Sequence, residues 1–439
     1  MNPSATPKPS LILASSIAGR WLRGWRRPAL AALAGPLAIL GALAFPAEVQ
    51  ADFTWLGSND SNWDNTTVNW GPLNVIVGLG NFPVKFGQTG YSGATPGRGA
   101  TFDGTAIGTI TLTDSIGLTG MSFQANGYTI SDPSGTNQLS FSNFFTGGAL
   151  NPGQVDVGSG FTATVNVKLT DISNVGMTKT GAGTLILTAS SLVAGPTNVN
   201  AGTLQMSGAG SLYNGGTSAG NLNVNSGATL RLSRTDTFGA SDSFSPMVLT
   251  VDGGTVRNVS GNFNAFNNPI FKNGANLICN GGFSSDFQAY GLKGTVTISG
   301  GGGVATTFSL GTGSNRSINL GNPLTPSSTT FDVGVTGAVG ADLSLSVNLR
   351  DSFNFNTSAP SPSGLIKTGA GTMTQAQPGS TFSGDLTING GTFEGAAVAN
   401  GTGGSPLGAV GAGSGPETST LTTAARSALR AMTCWGERV

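Results

Sequence analysis

The phrase KTGAGTLIL at residues 179–187 decides the fold, because the chain returns to it as KTGAGTM at residues 367–373. In each copy a glycine-rich turn leads into a short strand with alternating apolar residues. A phosphate-binding loop would use similar residues, but it needs a Gly-Lys pair, and the chain contains none. The lysine precedes the glycines in both copies. We therefore interpret the phrase as a tight turn that enters an inward-facing β-strand.

The same pattern of a polar residue, a glycine and a short strand recurs along the chain. Copies start at residues 200, 225, 252, 273 and 299, which lie 25, 27, 21 and 26 residues apart, and NGGTFEG at 389–395 is a further copy. This period is too short for a β-α-β unit, and a β-sandwich would show turns about every 8–12 residues without a longer period. It fits one coil of a parallel β-helix, in which each strand pairs with its copy in the next coil. We therefore predict an all-β solenoid.

Turn and core roles in the two best copies follow from this interpretation. Glycines are expected to shape the turns, alternate apolar residues to fill the core, and asparagines at matching positions to form ladders between coils. The predicted turn and core residues are Gly181, Gly183, Leu185, Leu187, Gly202, Leu204, Gly369, Gly371, Gly391 and Phe393. The predicted ladder residues are Asn198, Asn200, Asn223 and Asn225.

Composition excludes several kinds of chemistry. The chain has no histidine, which removes Ser-His-Asp and Cys-His nucleophile systems and histidine-ligated metal sites. Its two cysteines, Cys279 and Cys434, have no metal-ligand spacing, and Cys279 is expected to be a small core residue. Charged residues make up only 9% of the chain. We predict no cofactor.

The N-terminus has the pattern of an export signal. Arginines at positions 20 to 27 precede the apolar stretch 28–45, and small residues before Asp52 suit a cleavage site; an uncleaved anchor is the alternative. Removing residues 1–51 takes away five basic residues and one acidic residue, which leaves 15 basic and 19 acidic residues. A net charge near −4 gives no electrostatic reason to expect nucleic-acid binding.

The stretch KTGAGTLILTASSLVAGPTNVNAGTLQMSG, residues 179–208, closely resembles the autotransporter-associated β-strand repeat, and residues 367–395 resemble a second copy. The resemblance implies a right-handed parallel β-helix passenger, exported to the surface of a Gram-negative-type envelope and linked to adhesion. Typical members continue into a membrane β-barrel. Here the barrel pattern is absent before the end of the sequence, and we expect the Ala- and Arg-rich tail to be a capping helix or the remnant of a truncated reading frame.

Four regions are therefore expected along the chain. Residues 1–51 form the signal peptide, 52–105 a Trp-rich cap, 106–415 the β-helix with its repeats, and 416–439 an atypical tail with helical spacing. Trp55, Trp63 and Trp70 are expected to close the open end of the solenoid. The alternative is a carbohydrate platform, because sugar faces stack on indoles.

We expect a non-catalytic, exported protein at the cell surface, associated with the outer membrane, or in the medium. Its partner would be an extracellular surface, a polysaccharide or another cell, and its membrane contact would come only from the export signal or a missing barrel. A polysaccharide lyase or glycoside hydrolase is one alternative, with Asp236 and Asp242 as the carboxylates in the densest charged stretch. A purely structural envelope protein is another.

Overall fold

The computed structural model of the chain describes residues 53–57, 59–66, 69–72, 99–142, 153–212, 220–238, 247–395 and 420–421. All regular structure in these ranges is β-strand. The first strands are β1 Phe53–Trp55, β2 Asn62–Trp63, β3 Trp70–Pro72, β4 Gly99–Phe102, β5 Thr109–Leu112, β6 Ile116–Leu118, β7 Gly120–Phe123, β8 Tyr128–Ser131, β9 Gln138–Phe141, β10 Gly153–Val157, β11 Thr162–Asn166 and β12 Lys168–Asp171. The next are β13 Met177–Thr180, β14 Thr184–Leu187, β15 Thr197–Val199, β16 Thr203–Ser207, β17 Leu222–Asn225, β18 Thr229–Ser233, β19 Leu249–Asp252, β20 Thr255–Asn258, β21 Asn264–Asn267, β22 Ile270–Lys272, β23 Asn276–Cys279 and β24 Tyr290–Lys293. The last are β25 Thr295–Ser299, β26 Thr306–Leu310, β27 Ile318–Leu320, β28 Ser327–Val333, β29 Leu343–Leu345, β30 Leu349–Asn354, β31 Ala359–Ser361, β32 Ser363–Thr368, β33 Thr372–Gln375, β34 Leu386–Ile388, β35 Thr392–Gly395 and β36 Thr420–Leu421.

These strands form two long sheets and a third face. The first sheet has the order β3-β1-β4-β7-β10-β13-β15-β17-β19-β22-β25-β28-β32-β34-β36. The second has the order β2-β5-β8-β11-β14-β16-β18-β20-β23-β26-β29-β33-β35. The third face consists of the short sheets β12-β9-β6 and β21-β24-β27-β30-β31. Neighbours are parallel except in the pairs β1–β3 and β30–β31, so the predicted parallel β-helix is confirmed.

The core consists of columns of apolar side chains that repeat from coil to coil. Each strand is too short to bury a face alone, so neighbouring coils must stack to exclude water. One inward column of the second sheet is fully buried and pairs in register: Leu185, Leu204, Leu230, Val256, Leu277, Phe308 and Leu345.

Coil length varies more than the predicted 21 to 27 residues. The column residues Leu277, Phe308 and Leu345 are 31 and 37 positions apart. The added residues lie in loops between strands, at 280–289, 311–317 and 334–342. Because a loop can grow at little cost in closure entropy, the register of the strands survives these insertions.

The Trp-rich segment lies at the N-terminal edge of both long sheets. Trp55, Trp63 and Trp70 are at most 1% exposed, and the Trp70 ring lies 5.1 Å from Trp55 and 5.0 Å from Trp63 between centroids. Strand β3 is antiparallel to β1 and is the outermost strand of the first sheet. The indoles are thus core residues of the first coil, a position suited to capping. Their faces are covered, which corrects the alternative of a carbohydrate platform at these rings.

Asparagine ladders form where the sequence predicts them. Asn223 donates its side-chain amide to Asn198 at 2.8 Å, and Asn225 donates to Asn200 at 2.6 Å. Cys279 is buried in the core, as expected, and Cys434 lies outside the described residues. The predicted signal peptide also lies outside them, as does the predicted tail apart from β36. The described part of the chain has no helix that is long and apolar enough to span a membrane.

Candidate functional site

Each of the two predicted repeat copies has a buried lysine at the equivalent bend, just before the glycine turn. We call this bend the lysine corner. Lys179 lies on β13 and Lys367 on β32, and neither side chain is exposed. Lys179 Nζ donates to the carbonyls of Thr180 at 2.5 Å, Gly181 at 2.8 Å and Ala201 at 3.3 Å. An ammonium has three N–H donors, and all three are used by carbonyl groups.

The second corner repeats this arrangement. Lys367 Nζ donates to the carbonyls of Thr368 at 2.7 Å, Gly369 at 2.9 Å and Gly390 at 3.0 Å. In each corner, two of the acceptors belong to the turn that follows the lysine, and the third belongs to the next coil. The lysines therefore tie one coil to the next, and no donor remains for a phosphate.

Next to each lysine, a carboxylate from the preceding coil accepts a hydrogen bond from the threonine that follows the lysine. Thr180 donates its hydroxyl to Asp156 at 2.9 Å, and Thr368 donates to Asp332 at 2.9 Å. Burial lowers the pKa of Lys179 to about 8, although the charge of Asp156 opposes the shift. Burial likewise lowers the pKa of Lys367 to about 8. The corner residues Asp156 and Asp332 were not singled out from the sequence, because they lie 23 and 35 positions before their lysines.

Glycines allow the coils to approach at these corners. A Cβ on Gly183 would lie 2.3 Å from the carbonyl oxygen of Gly158, in the preceding coil. A Cβ on Gly371 would lie 2.3 Å from the carbonyl oxygen of Gly334. Both contacts are with backbone, so no side-chain rotation can relieve them. The strands that follow bury Leu185, Leu187, Leu204 and Met373, and Phe393 packs partly buried against the same core.

Asp342 fixes a loop beside the second corner. Its Oδ1 accepts from the Thr336 N–H at 2.6 Å and its Oδ2 from the Thr372 N–H at 2.7 Å. Burial raises the pKa of Asp342, but the hydrogen bonds from these N–H groups lower it by more. The Thr336 hydroxyl and the charge of Lys367 act in the same direction, and the pKa of Asp342 falls below its usual value.

We expect Asp342→Asn to lower stability near neutral pH by about 1–3 kcal/mol, because an amide nitrogen would then face the Thr372 N–H. A depressed pKa in the folded state stabilises above the unfolded value and is lost as pH falls through the folded value. The difference in thermal midpoint between wild type and variant should therefore shrink below pH ~4. Asp385→Asn, at an exposed carboxylate, is the control and should change the midpoint little. A difference that stays constant down to pH 2 would contradict this account.

The charged stretch proposed as an enzymatic alternative is only partly described. Arg234 donates to the carbonyls of Ala209 at 2.7 Å and Gly210 at 3.3 Å, which anchors it to the preceding coil. Asp236 is half-buried with a φ of 55°, and Asp242 lies outside the described residues. No group of three potential metal ligands occurs among the described residues.

Two neighbouring clefts on the third face were not anticipated from the sequence. They meet at Arg350 on β30 and measure about 190 and 300 Å³. The smaller cleft is lined by Asp286, Asp351 and Phe353 among others, and the larger by Arg316 and Gln377. Arg316 and Arg350 are 34 positions apart in sequence, and only coil stacking brings them together.

The fold and its two lysine corners define a parallel β-helix built from a repeated corner module. Comparison with family models matches residues 177–206 and 365–394 to the passenger-associated-transport-repeat. The chain thus carries two repeats of the autotransporter-associated β-strand class, as the sequence predicted. Neither the curated proteins nor the solved structures gave a significant match to the chain.

Proposed function

We propose that the chain is an exported β-helical stalk of adhesin type, which binds extracellular surfaces or glycans without catalysis. The observation that carries this proposal is a parallel β-helix with a passenger-associated-transport-repeat at both lysine corners. Such a fold displays long outer faces in which one binding contact can recur from coil to coil. Repetition of weak contacts, rather than one deep pocket, would supply the affinity.

Several carboxylates accept hydrogen bonds from loop N–H groups, which supports a non-catalytic role. Asp171 accepts from the N–H groups of Gly176, Ala194 and Gly195 at 2.7 to 2.8 Å. Asp342 holds a loop in a similar way. The oxygens of these carboxylates face backbone N–H groups and hold loops, so the side chains have a structural role there rather than a position beside a substrate.

A binding panel tests the proposal. The purified chain is applied to bacterial and host cells and to a broad set of immobilised neutral and acidic glycans, with heat-unfolded chain as the control. We expect saturable binding to at least one surface or glycan by the folded chain alone. Absence of binding across the panel would reject the adhesin role and favour a purely structural envelope protein.

Turnover assays test the non-catalytic part separately. The same polysaccharides are incubated with the chain, and new reducing ends or unsaturated sugars are measured. We expect none. Cleavage that is lost on Asp236→Asn or Asp242→Asn would establish the enzymatic alternative instead.

A further inference from the structure

The arginines are concentrated in one part of the solenoid. All five arginines in the described residues lie within residues 231–350, on the second sheet, on the third face, or in the loops that follow the second-sheet strands: Arg231, Arg234, Arg257, Arg316 and Arg350. Within the described part of the chain, no ion pair joins any of these arginines to a carboxylate. Unpaired guanidinium groups on a chain of low charge are available to an anionic partner.

Arg316 and Arg350 line the larger of the two clefts, which contains no carboxylate. Ser314, Asn315, Asn348 and Gln377 also line it, so its polar groups are hydroxyls, amides and two guanidinium groups. These residues come from three successive coils, because Arg350 pairs with Asn319 and the Thr381 N–H donates to the Leu349 carbonyl. The cleft therefore runs along the solenoid axis, across coils that are about 4.8 Å apart.

Both guanidinium groups are held by hydrogen bonds within the protein, and both retain unused N–H donors. Arg316 donates from Nη1 to the Gly311 carbonyl at 2.9 Å. Arg350 donates from Nε to the Thr381 hydroxyl at 3.1 Å and from Nη1 to the Ser285 carbonyl at 3.1 Å. A guanidinium has five N–H groups, so most remain free for a ligand. Anchoring also reduces the side-chain entropy that binding would cost.

The amide network beneath the cleft is fixed as well. Gln288 accepts the Ser317 N–H at 3.2 Å, and Asn319 accepts the Gln288 N–H at 3.0 Å. Asn319 also donates to the carbonyls of Asp286 at 3.0 Å and Asp351 at 2.7 Å. The cleft floor is thus held by buried and partly buried hydrogen bonds.

The smaller cleft adds an apolar surface on the other side of Arg350. Phe353 lines it beside Pro360 and packs edge-on against Phe287, with ring centroids 5.6 Å apart. The apolar face of a sugar ring stacks on such a surface, while its hydroxyl groups meet amides. Asp286 and Asp351 also line the smaller cleft, so we expect the ligand carboxylate to lie in the larger cleft and the sugar ring beside Phe353.

We infer that the clefts around Arg350 bind a carboxylate-bearing polysaccharide, with Arg316 and Arg350 holding its carboxylate groups. This inference rests on the proposed adhesin function and assigns it a ligand class and a place. Two guanidinium groups in one cleft without a carboxylate select an anion, and the surrounding amides select a hydroxyl-rich one. Binding should weaken as salt is added, because the charges are near the surface.

Polygalacturonate is the probe, and its methyl ester is the matched neutral control. The full chain should bind the acid saturably and the ester at least about tenfold more weakly, since charged hydrogen bonds are lost. The double variant Arg316→Gln/Arg350→Gln should lose about tenfold or more in affinity for the acid. Arg257→Gln removes an exposed charge on the second sheet away from the clefts and should change affinity less than about twofold.

A second variant keeps the test valid if the arginine changes disturb folding. Gln377→Glu alters a half-buried side chain in the larger cleft, and it should weaken binding by repelling the ligand carboxylate. Thermal midpoints measured for all variants show whether the fold is retained.

Three outcomes would overturn the inference: equal binding to acid and ester, equal losses for Arg257→Gln and the double variant, or tighter binding to dextran sulfate than to polygalacturonate. Binding of the wild-type chain to cells or neutral glycans without binding to polygalacturonate would overturn the inference while leaving the adhesin function intact. Failure of the wild-type chain to bind any member of the panel would reject both.

Discussion

We expect Gly183→Ala to destabilise the first repeat copy by about 3 kcal/mol. The new Cβ would lie 2.3 Å from the Gly158 carbonyl oxygen and 2.7 Å from that of Phe161. Both atoms are backbone of the preceding coil, so the coils must separate to make room. Long repeat arrays do not always unfold in one step, so the local effect is best measured by amide hydrogen exchange in β13 to β16.

Alanine substitutions at two other glycines are controls that separate the clash at Gly183 from the other effects of adding a methyl group. Gly227 has a φ of 78° and open space around its Cβ position, so Gly227→Ala should cost only the backbone strain of about 1–2 kcal/mol. Gly301 has neither a positive φ nor a neighbour, and Gly301→Ala should be neutral or slightly stabilising. Equal exchange rates for all three variants would contradict close coil approach at Gly183.

We expect Lys179→Met to lower stability at pH 7 by about 2 kcal/mol. The change removes three charged hydrogen bonds, each worth about 1.5–3 kcal/mol. It also removes the cost of burying the ammonium, the same cost that lowers the pKa of Lys179 to about 8. The lost bonds outweigh the relief of burial. Thermal unfolding at pH 7 measures the difference, with the half-exposed Lys168→Met as the control that should change little.

The pH dependence of the same pair of proteins gives an independent check. Between pH 8 and about 10.5 the unfolded chain holds the Lys179 proton and the folded chain does not, so stability rises with pH in that window. The wild type should therefore gain stability over Lys179→Met as pH rises from 8 to about 10.5. A gap that stays constant over this range would mean that the folded lysine keeps its proton and would contradict the lowered pKa of Lys179.

Much of the fold could be predicted from the sequence, because its rules are local. Glycine turns and alternating apolar strands specify a coil, and register then follows from matching each strand to its copy. Leu185 and Leu204 illustrate this, since both are buried in one column as predicted. Coil length was less predictable, because loops such as 311–317 vary without disturbing that pattern.

The candidate sites could be predicted less well, because their contacts cross coils. The sequence shows Lys179 before a glycine turn but does not show that its ammonium reaches the Ala201 carbonyl of the next coil. Arg316 and Arg350 are distant in sequence and adjoin the same cleft only after variable loops are closed. Burial of the three N-terminal indoles also depends on stacking, which turns a plausible sugar platform into core.

The most direct test of the account is the spacing of coils along the second sheet. Eight outward residues pair in register, one per coil: Thr129, Thr164, Ile186, Gln205, Arg231, Arg257, Ile278 and Ser309. Spin labels at Thr164 and Ile278 should be about 24 Å apart, and labels at Thr129 and Ser309 about 34 Å apart, because each coil adds about 4.8 Å. Pulsed electron paramagnetic resonance should show a narrow distribution of label-to-label distances for each pair, centred on these values. Broad distributions, or distances that do not increase with the number of coils, would contradict the parallel β-helix.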